Sequence, residues 1–381
     1  MTVIRRLLPL AALLASLLVL APAADAKRRV PQGFYGTVWD GSVVNSSDGV
    51  QSSEWSLMSR AGVESVRAVF SWERAQPVSG AAVHYDQTDR LVTLAIHHGM
   101  RLLPVVADTP PWARAYPSRQ FSPPADFNDF GVYLRALAER YGSDGTFWTE
   151  HPELPKKPIR VFQVWNEPDL SYRWVAKRGS RYAWPGGYVR LLKVSRRALD
   201  ETDPDAKLVL AGLTNDSWNH LRRLYKRKVR GLFDIAAIQT YTSSPRNAMR
   251  AIRLFRSVMR RYGDGRKPMW ATELGWPAAK GRMHLTRFQR SLVTTDRGMA
   301  SRLGRVFAGL AQKRKLRRYG VGRVFWYTWS SPYHRLTDIF DWAGLRSYYK
   351  GKFKRKPALR AYTRVARRYE GCAKNSSGAC K

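Results

Sequence analysis

Cysteine is close to absent. Only Cys372 and Cys380 occur in 381 residues, so the body of the chain holds no thiol for nucleophilic or redox chemistry and no cysteine cluster for a metal. Histidine adds little: His97 and His98 stand side by side in a helical stretch without the H-E-x-x-H spacing of a zinc site. No G-x-S-x-G turn marks a serine nucleophile, and no G-x-x-x-x-G-K-[ST] loop marks a nucleotide phosphate site. Gly33-Phe34-Tyr35-Gly36 lacks the spacing of a dinucleotide-binding turn, which argues against an open doubly wound sheet. Nothing here calls for a metal or an organic cofactor.

Acidic side chains are scarce too, 29 against 66 lysines and arginines, for a formal charge of +37. Such a charge draws polyanions through long-range, salt-sensitive forces: an anionic wall or matrix polymer, an acidic polysaccharide, anionic lipid or nucleic acid. Without a nucleic-acid-binding motif, a specific nucleic-acid partner is not expected.

Long apolar runs are confined to one place. Arg5 and Arg6, the stretch Leu7 to Leu20 and then Ala24-Asp25-Ala26 have the order of a secretory signal peptide, with cleavage expected after Ala26. No later stretch is apolar enough to span a bilayer, so residues 27–371 are expected as an extracytoplasmic domain, secreted or held at a cell surface by charge. In that setting Cys372 and Cys380 are expected to pair as a disulfide within a short tail, 372–381.

With 44% hydrophobic and 25% charged residues, the remainder has the composition of a globular protein. Short apolar or β-branched runs recur near Gly33–Trp39, Glu64–Phe70, Arg101–Ala107, Ile159–Trp165, Lys207–Gly212, Phe233–Thr240, Lys267–Glu273 and Gly320–Tyr327. Stretches of helical period separate them: Gln87–His98, Ala125–Tyr141, Gly187–Glu201, Pro245–Tyr262 and Thr286–Tyr319, with a first helix in the interval after Trp55. Strand and helix alternating through eight units predict an α/β fold, a (β/α)8 TIM barrel forming a single catalytic domain.

Two of the strands end on glutamate. Ile159–Trp165 runs into Asn166-Glu167-Pro168, and Lys267–Thr272 runs into Glu273-Leu274-Gly275. Asn-Glu-Pro alone is an ordinary turn sequence; what gives it weight is a second acid at another strand end, with Arg67 and Tyr241 at strand ends as well. A carboxylate at the end of an apolar strand needs a partner or a chemical task. Glycosidic cleavage supplies one. A protonated carboxyl gives its proton to the leaving oxygen while an ionised one attacks the anomeric carbon, the two about 5 Å apart in retaining enzymes.

These residues resemble the clan A glycoside hydrolases, whose acid/base glutamate follows an asparagine at the end of strand four and whose nucleophile ends strand seven. Val66-Arg67, Ser71-Trp72-Glu73, Gln76-Pro77, Gly80, Tyr85-Asp86 and Asp89 also look like the second-strand region of such enzymes, and family 39, with its bacterial exopolysaccharide hydrolases, is the nearest likeness. The resemblance implies Glu167 as acid/base, Glu273 as nucleophile, Asn166 as donor to the sugar 2-hydroxyl, Arg67 as an orienter beneath the nucleophile and Tyr241 as a hydrogen-bond donor to Glu273. Many relatives carry histidine where this chain has Gln239.

Sugars present apolar C–H faces that stack on aromatic rings. Among 14 tryptophans, Trp326 is the first candidate for a sugar platform, with Trp112, Trp276 and Trp329 as further rim candidates. The implied reaction is retaining hydrolysis of a β-linked oligo- or polysaccharide; the alternative is a catalytically silent carbohydrate-binding barrel on an anionic wall or matrix.

Overall fold

The computed structural model describes residues 28–334 and 338–370. The signal segment and the Cys372 and Cys380 pair lie outside the described residues.

Eight parallel strands form one sheet: β1 (Tyr35–Trp39), β2 (Ser65–Ser71), β3 (Arg101–Ala107), β4 (Val161–Val164), β5 (Lys207–Val209), β6 (Ala236–Gln239), β7 (Met269–Leu274) and β8 (Val321–Trp326). Their order runs β5-β4-β3-β2-β1-β8-β7-β6. Parallel bridges Val209–Ile235 and Leu213–Ile238 join the two ends. The result is a (β/α)8 TIM barrel, with a helix after each strand packed on the outside.

The helix Pro245–Arg261 shows why the covering layer forms. Ser244 caps it by accepting from the Asn247 N–H at 3.3 Å, and proline stands in its first turn. Ala248, Ala251, Ile252, Phe255, Val258 and Met259 make one buried stripe. Arg246, Arg250, Arg253, Arg260 and Arg261 are exposed and keep their charges in water.

The period of two along each strand divides the core. Val38, Leu103, Val209, Ala237, Trp270 and Phe325 belong to one cluster, the barrel interior. Val66, Ala68, Phe70, Val324 and Trp326 belong to the larger cluster under the helices. Arg67 pairs in register with Val38 on one side and Leu103 on the other, so it enters the interior layer.

Two helical stretches differ from the sequence expectation, and a hairpin near the C-terminus adds to it. The stretch Thr286–Tyr319 is three helices, Arg287–Leu292, Asp296–Leu310 and Lys313–Tyr319, rather than one. Thr286 and Gln289 form a capping box, Thr295 caps the second helix, and Gly320 ends the third in the left-handed region, so local side-chain hydrogen bonds start new helices there. The first helix is Asp48–Arg60, which contains Trp55 instead of following it. The densely basic segment near the C-terminus forms a hairpin of β10 (Arg346–Tyr349) and β11 (Lys352–Arg355), joined to β9 (Ser330–Ser331). Its turn uses positive φ at Lys350 and Gly351, which fits a two-residue hairpin loop.

Candidate active site

Arg67 reaches from β2 to three neighbours. Its Nη1 lies 2.8 Å from Glu273 Oε1, its Nη2 donates to Asn166 Oδ1 at 2.7 Å and its Nε donates to Gln163 Oε1 at 2.9 Å. The other Glu273 oxygen accepts from the Tyr241 hydroxyl at 2.5 Å. Burial and the neighbouring Glu273 charge push the Tyr241 hydroxyl well above its ordinary range, so it remains a donor.

Glu273 faces the cavity because β7 is irregular. Trp270 belongs to the interior and Ala271 to the outer layer; unbroken alternation would then turn Glu273 outward. The register instead slips between Ala271 and Leu274 against β8, and Gln239 pairs with Glu273 where Ile238 pairs with Ala271. This bulge reverses the phase by one residue and re-aims the carboxylate.

Glu167 is aimed by the backbone after β4. Trp165 and Glu167 both have positive φ, 67° and 50°, a conformation that non-glycine residues keep only where surrounding contacts enforce it. Here the Trp165 N–H donates to Val106 O at 2.9 Å, its indole N–H donates to Arg173 O at 2.9 Å, and the Leu170 N–H donates to Glu167 O at 3.1 Å. Glu167 is buried, and desolvation, followed by the negative charge of Glu273, pushes its carboxyl up to about 8; Arg173, with Nε 3.6 Å from Oε2, opposes this.

Asn166 stands between the two glutamates in the network. Its Oδ1 accepts from both Arg67 and Gln239, the latter at 2.7 Å. That fixes which end of the amide carries oxygen and leaves the NH2 group to donate elsewhere. Gln163, a polar residue in an apolar strand, accepts from Arg67 and donates to Trp165 O at 3.1 Å. Gln239, noted in the sequence as standing where many relatives carry histidine, is thus a partner of Asn166; Gln163 was not among the candidates read from sequence, although a glutamine inside a buried strand was the visible signal.

Arg67, Asn166, Glu167, Tyr241 and Glu273 all line one cavity of about 1050 Å³ at the barrel rim. Loops after β1, β2, β3 and β8 complete its walls, including Asp40, Glu73, Asp108 and Asp338.

No protein-family model and no curated protein sequence matches this chain. Solved structures do. A family 39 glycoside hydrolase from the gut symbiont Bacteroides cellulosilyticus WH2 aligns with a TM-score of 0.66 at 17% identity, over 92% of this chain and 66% of that one. A monomeric β-xylosidase from Caulobacter crescentus CB15 gives 0.62 at 16% identity, over 89% and 69%. A GH5_18 protein from Streptomyces cattleya in complex with GlcNAc gives 0.63 at 17% identity, over 90% and 81%. The chain thus spans about two thirds of the length of the first two. Its fold is the (β/α)8 barrel that it shares with these glycoside hydrolases.

Within this barrel, the structure does not place the tryptophans as the sequence suggested. Trp326 is fully buried in the layer beneath the helices, where its indole donates to Ala343 O at 3.1 Å. Strand alternation turns Phe325 inward and therefore Trp326 outward. Trp276 is also fully buried and donates to Thr242 O at 2.5 Å; Trp112 is half-buried, edge-on to Trp72, and donates to Gln76 O at 3.0 Å. Trp329 is buried with its indole on Glu54 Oε2 at 2.8 Å. None of the four lines the cavity. Its aromatic surface comes from other residues, notably Tyr172 and Phe288, each 63% exposed.

Proposed function

We propose that the chain is a secreted retaining glycoside hydrolase acting on β-linked oligo- or polysaccharides, with Glu167 as acid/base and Glu273 as nucleophile. The asymmetry between the two glutamates carries this reading. Both Glu273 oxygens accept from fixed donors that orient a carboxylate for attack, Arg67 and Tyr241. Glu167, buried and facing a second carboxylate, holds its proton near neutral pH.

In the first step Glu167 passes its proton to the glycosidic oxygen as a Glu273 oxygen forms a bond to the anomeric carbon and the leaving alcohol departs. In the second, Glu167, now ionised, takes a proton from water, whose oxygen attacks the same carbon and releases Glu273. The Asn166 NH2 group, held in place through its oxygen, is available to the sugar's 2-hydroxyl. The likeness to glycoside hydrolases named above supports the reaction class.

The test uses purified chain and a panel of aryl β-glycosides and polysaccharides, with the configuration of the first-formed product read by proton NMR. Retention, loss of turnover in Glu273→Gln, and azide rescue of Glu167→Ala on an activated substrate are expected. Equal turnover in the parent and Glu273→Gln would sink the assignment, and salt-sensitive glycan binding without turnover would favour a carbohydrate-binding barrel. Export is tested separately by N-terminal sequencing of the protein recovered outside the cell, with Lys27 expected first.

A further inference from the structure

The guanidinium of Arg173 lies on the cavity wall without a hydrogen-bond acceptor. Its Nε is 3.6 Å from Glu167 Oε2, a charge contact, and none of its N–H groups donates a hydrogen bond among the described residues. It is nevertheless fixed in position. The backbone is held at both ends, by Trp165 Nε1 on Arg173 O at 2.9 Å and by the Arg173 N–H on Leu170 O at 2.9 Å. The side chain lies over the rings of Phe121, at 5.0 Å, and Tyr172, at 5.9 Å. Val175 N–H donates to Phe121 O at 3.0 Å, tying the loop after β3 to the loop after β4 on either side of the cation. An arginine held this way, 41% exposed at its side chain and bordering the cavity, presents a rigid fork suited to a carboxylate or sulfate.

The acidic residues of the cavity wall are differently placed. Asp40 accepts from the Tyr327 hydroxyl at 2.9 Å and the Gly41 N–H at 2.7 Å, Glu73 pairs with Arg114 at 2.9 Å, and Asp338 accepts from the Phe340 N–H at 2.9 Å. Each of these carboxylates already has a donor from its own chain, whereas the Arg173 guanidinium has no acceptor among the described residues. The surroundings agree: between Asp169 and Asp200 the sequence has no acidic residue, and Lys177, Arg178 and Arg181 follow Arg173 in the same loop.

We infer that the cavity takes an acidic glycan and that Arg173 binds the carboxylate of a uronic acid residue on the leaving-group side of the scissile bond. The side follows from Glu167: the acid that protonates the departing oxygen sits over the leaving sugar, and Arg173 lies against that acid. The placement therefore rests on the proposed role of Glu167, while the anion preference rests on Arg173 alone. The large positive charge of the chain then has a use, because an anionic polymer is drawn to the surface before a single residue of it reaches Arg173.

Binding provides a test that does not depend on turnover. Glu273→Gln protein is titrated by calorimetry, at about 0.15 M salt to screen the exterior, with three β-linked disaccharides that differ only in the reducing-end residue: glucuronic acid, glucose and glucose 6-sulfate. The uronate is expected to bind about tenfold or more tighter than the glucose form, as a charge-assisted pair implies. Adding Arg173→Gln should abolish that ratio and Arg173→Lys should retain part of it. Because each ratio is taken within one protein, partial unfolding cancels. A ratio near one in the parent, or an unchanged ratio in Arg173→Gln, overturns the inference. Tighter binding of the sulfate than the uronate overturns the uronate assignment in favour of a sulfated sugar. Failure of hydrolysis in the panel above, with the uronate preference intact, would remove the proposed reaction and the leaving-group placement but leave the anion site standing.

Discussion

Arg67 and Glu273 meet at 2.8 Å inside the barrel although 206 residues separate them, and both side chains are almost fully withdrawn from water. A buried pair of this kind is costly to break because each partner leaves the other as an uncompensated charge. Arg67→Leu is therefore expected to lose about 3–5 kcal/mol of unfolding free energy, read by urea denaturation at neutral pH. The double variant Arg67→Leu/Glu273→Leu should recover much of that loss while remaining inactive. If the double variant is no more stable than the single one, the ion pair is not what the single change disturbs.

The pH dependence follows from Glu167. Its folded-state carboxyl is raised from the ordinary 4.5 to about 8, mainly by burial and then by Glu273. Below the unfolded value both states are protonated and nothing is lost. As pH rises toward the folded value, the unfolded chain ionises freely while the folded one must keep the proton or bury a charge, so stability declines across this window. Activity in the proposed role should fall on the alkaline side, near pH 8, as the general acid loses its proton. Glu167→Gln should abolish the titration and flatten the stability decline between about pH 5 and 8, measured by thermal unfolding in matched buffers. An alkaline limb that persists unchanged in the residual activity of Glu167→Gln would assign that titration to another group.

The aromatic residues separate packing from binding. Trp326→Ala removes a fully buried ring and should destabilise the fold by about 3–5 kcal/mol. Tyr172→Ala and Phe288→Ala act at exposed positions on the cavity wall and should change stability by about 0.5 kcal/mol or less. Their expected effect is a raised KM on oligosaccharides with kcat less affected. Unaltered KM in both exposed variants would mean that neither ring touches the sugar.

Much of the barrel was legible because its signal is periodic. β3 lies where the apolar run Arg101–Ala107 stands, and the helix Pro245–Arg261 where its basic and apolar residues alternate. The placement of Glu167 and Glu273 at strand ends was equally visible, since a charged residue stops an apolar run. Which way a side chain points was not. Strict alternation counted along β7 would have sent Glu273 outward, and only the slip against β6 and β8 brings it into the cavity. Trp326 shows the opposite case: it follows the alternation of β8 and so misses the cavity that its rim position suggested. Arg173 left no signal, because its significance lies in Phe121, from the loop after β3, meeting it beside its near neighbours Tyr172 and Trp165.

Gly212 offers a test of the network that touches neither glutamate. A Cβ at this position would stand 2.6 Å from Gln239 Cγ and Nε2, and no other heavy atom approaches it as closely. Gln239 in turn donates to Asn166 Oδ1 at 2.7 Å. Gly212→Ala therefore forces the buried Gln239 side chain, Cγ included, out of its place, which takes one donor from Asn166. The expected result is a clear loss of kcat, with the unfolding free energy measured alongside to separate the packing cost of that shift from the lost donor. Gln239→Ala should lose a similar amount of activity, and the double variant should lose no more than either alone, since both changes act through one hydrogen bond. Additive losses in the double variant would show that Gly212 serves some purpose other than making room for Gln239.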